Sequence, residues 1–422
     1  MDRRSRSTRR RSTALLLLAM VAVAAACTAP PAREATPAEG AGAHAVILIS
    51  LDGFRWDYPQ LTETPNLDAL AAAGVQAEKL IPVFPSKTFP SHYSTVTGLY
   101  PGDHGIVSNN MRDPRWKGEF HLGTEELFKS RWWGGEPIWT TAHHNGLVTA
   151  SYFWPGSDVV INGDRPDYYY AYDGGVPYEE RVDQVLAWLD LPADERPSFI
   201  TLYFADPNDT AHELGPEAPG ALAAARRVDA MIGRLVDGLR QRGLLESTDV
   251  VVTSDHGMAL MSPDRVILLD DYVELSDDEV FEAGAFVQIY PAEGREAEVL
   301  TALQGANPHL EVWARDEIPE RYHLRGNPRL APIIGIPDVG WTATTRAAAK
   351  KPYGRFLLGN HGGDPLDPDM AGIFIAAGPT FASGKRVPPF ENVEIYNILA
   401  RALGIEPAPN DGDLSRVEGV LR

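Results

Sequence analysis

The chain holds a single cysteine, Cys27, among its 422 residues. Disulfides are excluded as a framework, so the fold must be held by its core and by any metal it binds. Positive charge is also scarce: 38 basic residues against 58 acidic ones leave a formal charge of -20. Such a surface repels a phosphate backbone, and duplex nucleic acid is not an expected partner. A phosphorylated small molecule would have to be attracted by something locally positive inside a site, and bound divalent metals are the candidates. There is no internal repeat and, beyond the first residues, no apolar run long enough to cross a membrane. What is present is ample core material: 44% hydrophobic residues suffice for one large α/β domain or two smaller ones.

The first residues read as an export signal: a basic stretch from Arg3 to Arg11, an apolar stretch from Ala14 to Ala26, then small residues. Cys27 follows Ala24-Ala25-Ala26, the arrangement of a bacterial lipoprotein signal with alanine where leucine is usual. An ordinary signal peptide with an incidental cysteine is the alternative. Residues 1–27 are thus expected to direct export, with a lipid on Cys27 as the membrane contact. Residues 28–43, rich in Pro, Ala and Glu, read as a tether. Residues 44–422 are then expected to form the exported folded domain, facing the periplasm or the cell exterior.

Short apolar runs end in polar residues: Ala45 to Leu51 before Asp52, Phe199 to Phe204 before Asp206, Val250 to Thr253 before Asp255, and Ile373 to Ala377 before Gly378. These read as buried strands of a mostly parallel sheet. Helix-period segments lie between them, at Asn66 to Ala73, Arg181 to Leu189 and Ala221 to Gly243, so the fold class is α/β with repeated βαβ units. Ligands of such sheets sit at the carboxyl ends of the strands, where the acidic residues fall. From about Asp270 to Thr345 the rhythm changes to short strands (Ala285 to Tyr290, Leu310 to Ala314) around a helix at Ala297 to Gln304. This reads as a small inserted α+β subdomain.

Asp52, His212, the pair Asp255-His256 and His361 offer oxygen and imidazole ligands of the kind that suit zinc or a similar ion. The lack of cysteine ligands favours an open catalytic site over a closed structural one. Singly, each has an ordinary reading as a cap or a hydrogen-bonded core residue. Thr88 supplies a hydroxyl at an expected helix start, with Pro90 tolerated in the first turn. A helix N-terminus favours anions, although ionising a threonine needs the stronger effect of metal coordination. The plain alternative is that Thr88 caps the helix.

Six ordered motifs make a more specific statement. Ile-Ser-Leu-Asp52-Gly-Phe, Pro-Ser-Lys-Thr88-Phe-Pro-Ser-His-Tyr, Thr97-Gly-Leu-Tyr-Pro, His104-Gly-Ile-Val-Ser-Asn109-Asn-Met, Thr253-Ser-Asp255-His256-Gly-Met and Gly359-Asn-His361-Gly resemble the nucleotide pyrophosphatase/phosphodiesterase family of the alkaline phosphatase superfamily. The match runs from about Ala45 to Ile405. The resemblance implies an alkaline-phosphatase-like fold and two zinc ions roughly 4 Å apart. Asp52, Asp255 and His256 would hold one ion, together with the Thr88 oxygen, and His212 and His361 the other. Thr88 would attack phosphorus to give a phospho-threonine intermediate, which water then resolves. Asn109 and the Phe89 backbone amide would hydrogen-bond the non-bridging oxygen. The family has an Asp four residues before the histidine matching His212, whereas this chain has Asn208. Its carbonyl brings no charge, and Asp206 or Asp209 is an alternative ligand.

Phe89, Tyr172 and Tyr203 fall where the family builds an aromatic slot for a nucleobase, and core packing is the competing reading for each. The expected substrate is a nucleotide phosphodiester or pyrophosphate, with other small phosphodiesters behind it. Two alternatives stand beside a phosphodiesterase: a phosphomonoesterase or phosphonate hydrolase on the same scaffold, and a binding protein whose turnover is impaired by Asn208.

Overall fold

Three segments rich in branched and aromatic residues, Ala45–Leu51, Phe199–Phe204 and Thr248–Thr253, form strands buried at every position, Asp249 included, whose carboxylate is bonded by His44 and the Thr380 amide. Burial on both faces is what continuous apolar runs require. In the computed structural model, which describes residues 44–350 and 356–422, they lie side by side in an eight-stranded sheet. The export segment 1–27 with Cys27 and the tether 28–43 lie outside the described residues. Across the sheet the order is Lys385–Val387, Val75–Ala77, Phe374–Ala377, Thr248–Thr253, Ala45–Leu51, Phe199–Phe204, Thr149–Tyr152 and Tyr168–Tyr170. The strands run parallel except Phe374–Ala377, which is antiparallel to both its neighbours. The α/β, mostly parallel architecture expected from the sequence is therefore present.

Alternation along Ala45–Leu51 divides the core. Val46 and Leu48 face a layer containing Val96 of helix Thr88–Thr97, Ile138 of Ile138–His144, and Ile395 and Leu399 of Glu394–Leu403. Ile47, Ile49 and Leu51 face Leu67 and Leu70 of Pro65–Ala73, Val182 and Val185 of Tyr178–Leu189, and Val228, Ile232 and Leu235 of Pro219–Gln241. The three- and four-residue spacing of those last positions is the helical stripe that packs on a sheet. Prolines begin Pro65–Ala73 and Pro219–Gln241, where the missing N–H has no helical partner to lose.

A second, four-stranded antiparallel sheet runs in the order Val280–Glu282, Val287–Ile289, Ile333–Pro337, Leu310–Ala314. Helix Glu296–Leu303 covers it, through Val299 and Leu303 against Ile289, Leu310 and Ile333. Phe286, immediately before the strand Val287–Ile289, meets Phe84 edge-on at 5.5 Å, just before the segment that carries Thr88. Among the described residues no helix is long and apolar enough to cross a membrane.

Candidate metal-dependent active site

Parallel register brings the acidic residues together. Leu51 pairs with Phe204 and Ser50 with Thr253, so the loops beginning at Asp52, Ala205 and Ser254 leave the sheet together at the carboxyl ends of three adjacent strands. Asp52 and Asp255 are both buried there. Each carboxylate has one oxygen engaged. The Tyr203 hydroxyl donates to Asp52 Oδ2 at 2.6 Å, and the Gly53 and His256 amides donate to Asp255 Oδ1 at 3.0 Å each. The other oxygens, Asp52 Oδ1 and Asp255 Oδ2, are buried without a hydrogen bond. Burial and the neighbouring Asp255 push the Asp52 carboxyl well up. Burial acts on Asp255 in the same sense, but the His256 and His92 imidazoles outweigh it and hold that carboxyl well below the usual range. Buried carboxylate oxygens left without a donor are costly unless a cation meets them.

Three imidazoles face this pair in a common manner. His212 Nδ1 donates to the Gly359 carbonyl, His256 Nδ1 to the Gly257 carbonyl, and His361 Nδ1 to the Ser86 carbonyl, each at 2.8 Å. A carbonyl can only accept, so each Nδ1 carries a hydrogen and a neutral ring presents its lone pair at Nε2, the arrangement by which proteins orient histidine ligands. His256 Nε2 is 3.0 Å from Asp255 Oδ2 and 3.6 Å from Asp52 Oδ1. The His361 ring stacks on His256 at 3.5 Å and lies 5.1 Å from His212. Burial lowers His212 to about 4 and holds His361 well below its ordinary value, so both favour the neutral form.

Thr88 is the first residue of helix Thr88–Thr97, with Pro90 in its first turn. It makes no capping bond; its Oγ1 lies 3.4 Å from His256 Nε2. Asn109 Oδ1 accepts the Phe89 amide at 2.9 Å, which leaves the Asn109 Nδ2 group to donate.

Asn208 opens helix Asn208–Leu214, and its amide donates to the Asp52 carbonyl at 3.0 Å. Its Nδ2 donates to Asp209 Oδ1 at 3.2 Å, while its Oδ1 is buried with no partner. Asp206 is engaged elsewhere, accepting from Arg227 at 2.6 Å and from Thr210 at 3.0 Å. Asn208 Oδ1 thus joins Asp52 Oδ1 and Asp255 Oδ2 as a third buried oxygen without a donor.

The three aromatic positions divide. Tyr172 is 53% exposed and meets Tyr203 edge-on at 5.9 Å. Tyr203 is only 9% exposed and spends its hydroxyl on Asp52. Phe89 is 7% exposed and packs on Phe120 at 5.8 Å.

Comparison with known proteins now bears on this geometry. The family model described as type I phosphodiesterase / nucleotide pyrophosphatase matches residues 46–364. The chain belongs to that family. Ectonucleotide pyrophosphatase/phosphodiesterase family member 3 of Bos taurus is 39% identical over 395 residues, covering 91% of this chain and 45% of the relative. Venom phosphodiesterase of Naja atra is 36% identical over 395 residues, covering 91% of this chain and 47% of its own. The chain spans about half the length of these relatives. Among solved structures, murine ectonucleotide pyrophosphatase/phosphodiesterase 5 superposes with a TM-score of 0.85 at 35% identity, covering 90% of this chain and all of the other. An inactive threonine-to-alanine form of that murine protein has been solved in complex with AMP.

Within this phosphodiesterase family member, several residues around the site escape motif reading. Asp52, His92 and Asp255 bring donor atoms within 4.8 Å of one another, yet His92 is already committed. Its Nδ1 bonds the Thr88 carbonyl and its Nε2 the Ser50 hydroxyl, both at 2.8 Å. His256, whose Nε2 faces Asp255 Oδ2, Asp52 Oδ1 and Thr88 Oγ1, is the better third ligand beside the two carboxylates. Gly53 adopts φ +65, and a Cβ there would stand 2.9 Å from Asn208 Cβ; the turn after Asp52 therefore demands glycine. Lys87, half-buried and adjacent to Thr88 in the chain, forms an ion pair with the buried Glu282. Lys87 and His92 stand inside the Thr88 motif, where a signal existed; nothing in the sequence pairs Glu282 with either.

Proposed function

We propose that the chain hydrolyses phosphodiester or pyrophosphate bonds of nucleotides, with Thr88 as nucleophile and two divalent ions, zinc by preference, as cofactors. The observation that carries this reading is the gathering of three buried oxygens without a hydrogen bond and three imidazoles oriented through Nδ1, one of which, His256, brings its Nε2 to 3.4 Å from Thr88 Oγ1. An oxygen and imidazole donor set without sulfur fits zinc in a catalytic role. Asp52, Asp255 and His256 would hold one ion, and Asn208, His212 and His361 the other. Bound there, the ions would lower the pKa of a hydroxyl and offset charge on the phosphoryl oxygens.

The chain supplies the positioning. Helix Thr88–Thr97 directs its N-terminus, and so its dipole, at an incoming anion. Thr88 Oγ1 forms a bond to phosphorus as the bond to the alcohol or phosphate leaving group breaks, giving a phosphodiester on Thr88. Water then attacks the same phosphorus, the Thr88 oxygen leaves and regains a proton, and a monoester is released. Asn109 Nδ2 donates to a non-bridging oxygen as charge grows there. Tyr172 offers an open ring face to a base, a contact usually worth about 1–3 kcal/mol.

A phosphomonoesterase would need cations for a dianion. Among the described residues the guanidiniums around the site are occupied: Arg112, which lines the cleft with His361, by Glu119, Arg55 by Asp57 and Glu217, and Arg181 by the Tyr203 carbonyl. This supports a diester substrate. Export with a lipid on Cys27 remains part of the proposal and rests on residues 1–27 alone.

The test is zinc content of the purified protein together with hydrolysis of the bis- and mono-p-nitrophenyl esters of phosphate. Two zinc per chain and a preference for the bis-ester are expected. Preference for the mono-ester would replace the reading with a phosphomonoesterase. One zinc with negligible turnover, corrected by Asn208→Asp, would replace it with a binding role.

A further inference from the structure

Glu282 ends an edge strand of the four-stranded sheet, and its carboxylate is buried. Four donors close on it: Lys87 Nζ, Ser108 Oγ at 2.9 Å, Gln288 Nε2 at 2.9 Å and Asn110 Nδ2 at 3.5 Å. Gln288 also donates to the Asn110 carbonyl at 3.2 Å and accepts the Ala331 amide at 3.1 Å. Lys87 immediately precedes Thr88, and Ser108 and Asn110 flank Asn109. One carboxylate of the second sheet therefore grips the neighbours of both residues assigned to the phosphoryl group.

The pair stands at the site itself. Lys87 Cε comes within 3.0 Å of where a Gly362 Cβ would be, next to His361. Lys87, Glu282, Asn360 and His361 share the wall of one cleft of about 820 Å³. An uncompensated ammonium beside the nucleophile would favour a doubly charged phosphomonoester over a singly charged phosphodiester, because attraction scales with the charge of the anion. Held by Glu282, the ammonium adds no net charge.

We propose that Glu282 is a specificity-determining residue: it neutralises Lys87 and fixes the Asn109 segment, biasing the site toward phosphodiesters and against phosphomonoesters. The inference rests on the phosphodiesterase reading above. It makes Lys87 and Glu282 opposite in sign, which a merely structural role would not do.

The experiment measures kcat/KM for bis-p-nitrophenyl phosphate and for p-nitrophenyl phosphate in the parent, Glu282→Gln, Lys87→Gln and the double variant. Glutamine keeps the size of Glu282 and an acceptor for Ser108. The mono-ester to bis-ester ratio should rise about tenfold in Glu282→Gln and fall about tenfold in Lys87→Gln. It should return to within about twofold of the parent in the double variant. Ratios that stay put, or move the same way in both single variants, overturn the role of Glu282. Should one single variant fail to fold, the sign of the other still decides. A parent that hydrolyses neither ester, or a Thr88→Ala variant that keeps the parent rate, overturns the phosphodiesterase reading and this inference with it. An active, Thr88-dependent parent with unmoved ratios overturns this inference alone.

Discussion

The hydroxyl of Tyr203 donates to Asp52 Oδ2 at 2.6 Å, leaving Asp52 Oδ1 as the oxygen without a partner. The bond decides which side of the carboxylate a cation can meet. Tyr203→Phe removes the orienting donor and keeps the ring, so metal affinity should fall by about tenfold or more while the fold persists. Titration with zinc against a competing chelator reads the change. Unaltered affinity would return Tyr203 to a packing or stacking role.

Thr88 is half-buried and carries no capping bond, so Thr88→Ala should leave the thermal midpoint within a few degrees of the parent. Turnover of the bis-ester should drop by about a thousandfold or more, as for loss of a nucleophile. Acid-quenched single-turnover samples should show label on the parent chain and none on the variant.

Asn208→Asp adds a carboxylate where Asn208 Oδ1 now lies buried and unpaired. In metal-free protein this places a third acid beside Asp52 and Asp255 and should cost about 1–3 kcal/mol of stability. With zinc the sign reverses, and the weaker-held ion should bind about tenfold tighter. Urea unfolding with and without zinc separates the two effects. A variant destabilised under both conditions would show that no cation reaches Asn208.

His104 lies away from the ligand set, fully buried between the Ile106 amide, donated to Nδ1 at 3.1 Å, and the Ser94 hydroxyl at 2.9 Å from Nε2. Burial lowers this imidazole to about 3, from 6.5 in the unfolded chain. The unfolded state therefore takes up the proton first. The stability from a neutral His104 is complete above pH 6.5 and is lost as pH falls toward 3, at about 1.4 kcal/mol per pH unit. Unfolding free energies at several pH values in that window should show one proton less of slope in His104→Gln than in the parent.

Arg329 is buried against Asp113 at 2.8 Å and also donates to the Gly105, Arg131 and Trp132 carbonyls. It ties the loop that carries Asn109 to the second sheet's side of the molecule. Arg329→Met strands the Asp113 charge, although Arg115 also reaches it, and should destabilise the fold by about 3–5 kcal/mol. Denaturant midpoints measure this, and a change below about 1 kcal/mol would show the pair to be dispensable.

The strands Ala45–Leu51, Phe199–Phe204 and the Val250 to Thr253 part of Thr248–Thr253 were legible because runs of apolar and hydroxyl residues, each reaching an acid within two positions, match doubly covered strands. Their shared parallel direction then placed Asp52, Asp255 and His256 together without further information. The direction of Phe374–Ala377 was not legible, since an apolar run reads alike both ways. Val75–Ala77 has only three residues, and Tyr168–Tyr170 is an edge strand with one face open, so neither shows a pattern. The site was legible as donors and illegible as orientation. The carbonyls of Ser86, Gly257 and Gly359 that aim the histidines belong to the backbone, which no residue type announces. The Glu282 contacts with Lys87 and Ser108 join positions far apart in the chain, which no local pattern reveals.

The central place of Ala45–Leu51 has a consequence for how the molecule is made. It is the first strand of the sheet in chain order, yet Val46 pairs with Phe199 and Ala45 with Thr248. At ordinary rates of synthesis, on the order of 10–40 s pass between its emergence and that of its second neighbour. Through that interval an apolar segment waits with both edges bare, and its pairing is slow even afterwards because the loops to be closed are long. Mispairing and aggregation before the sheet closes are therefore the hazards that this order of synthesis creates.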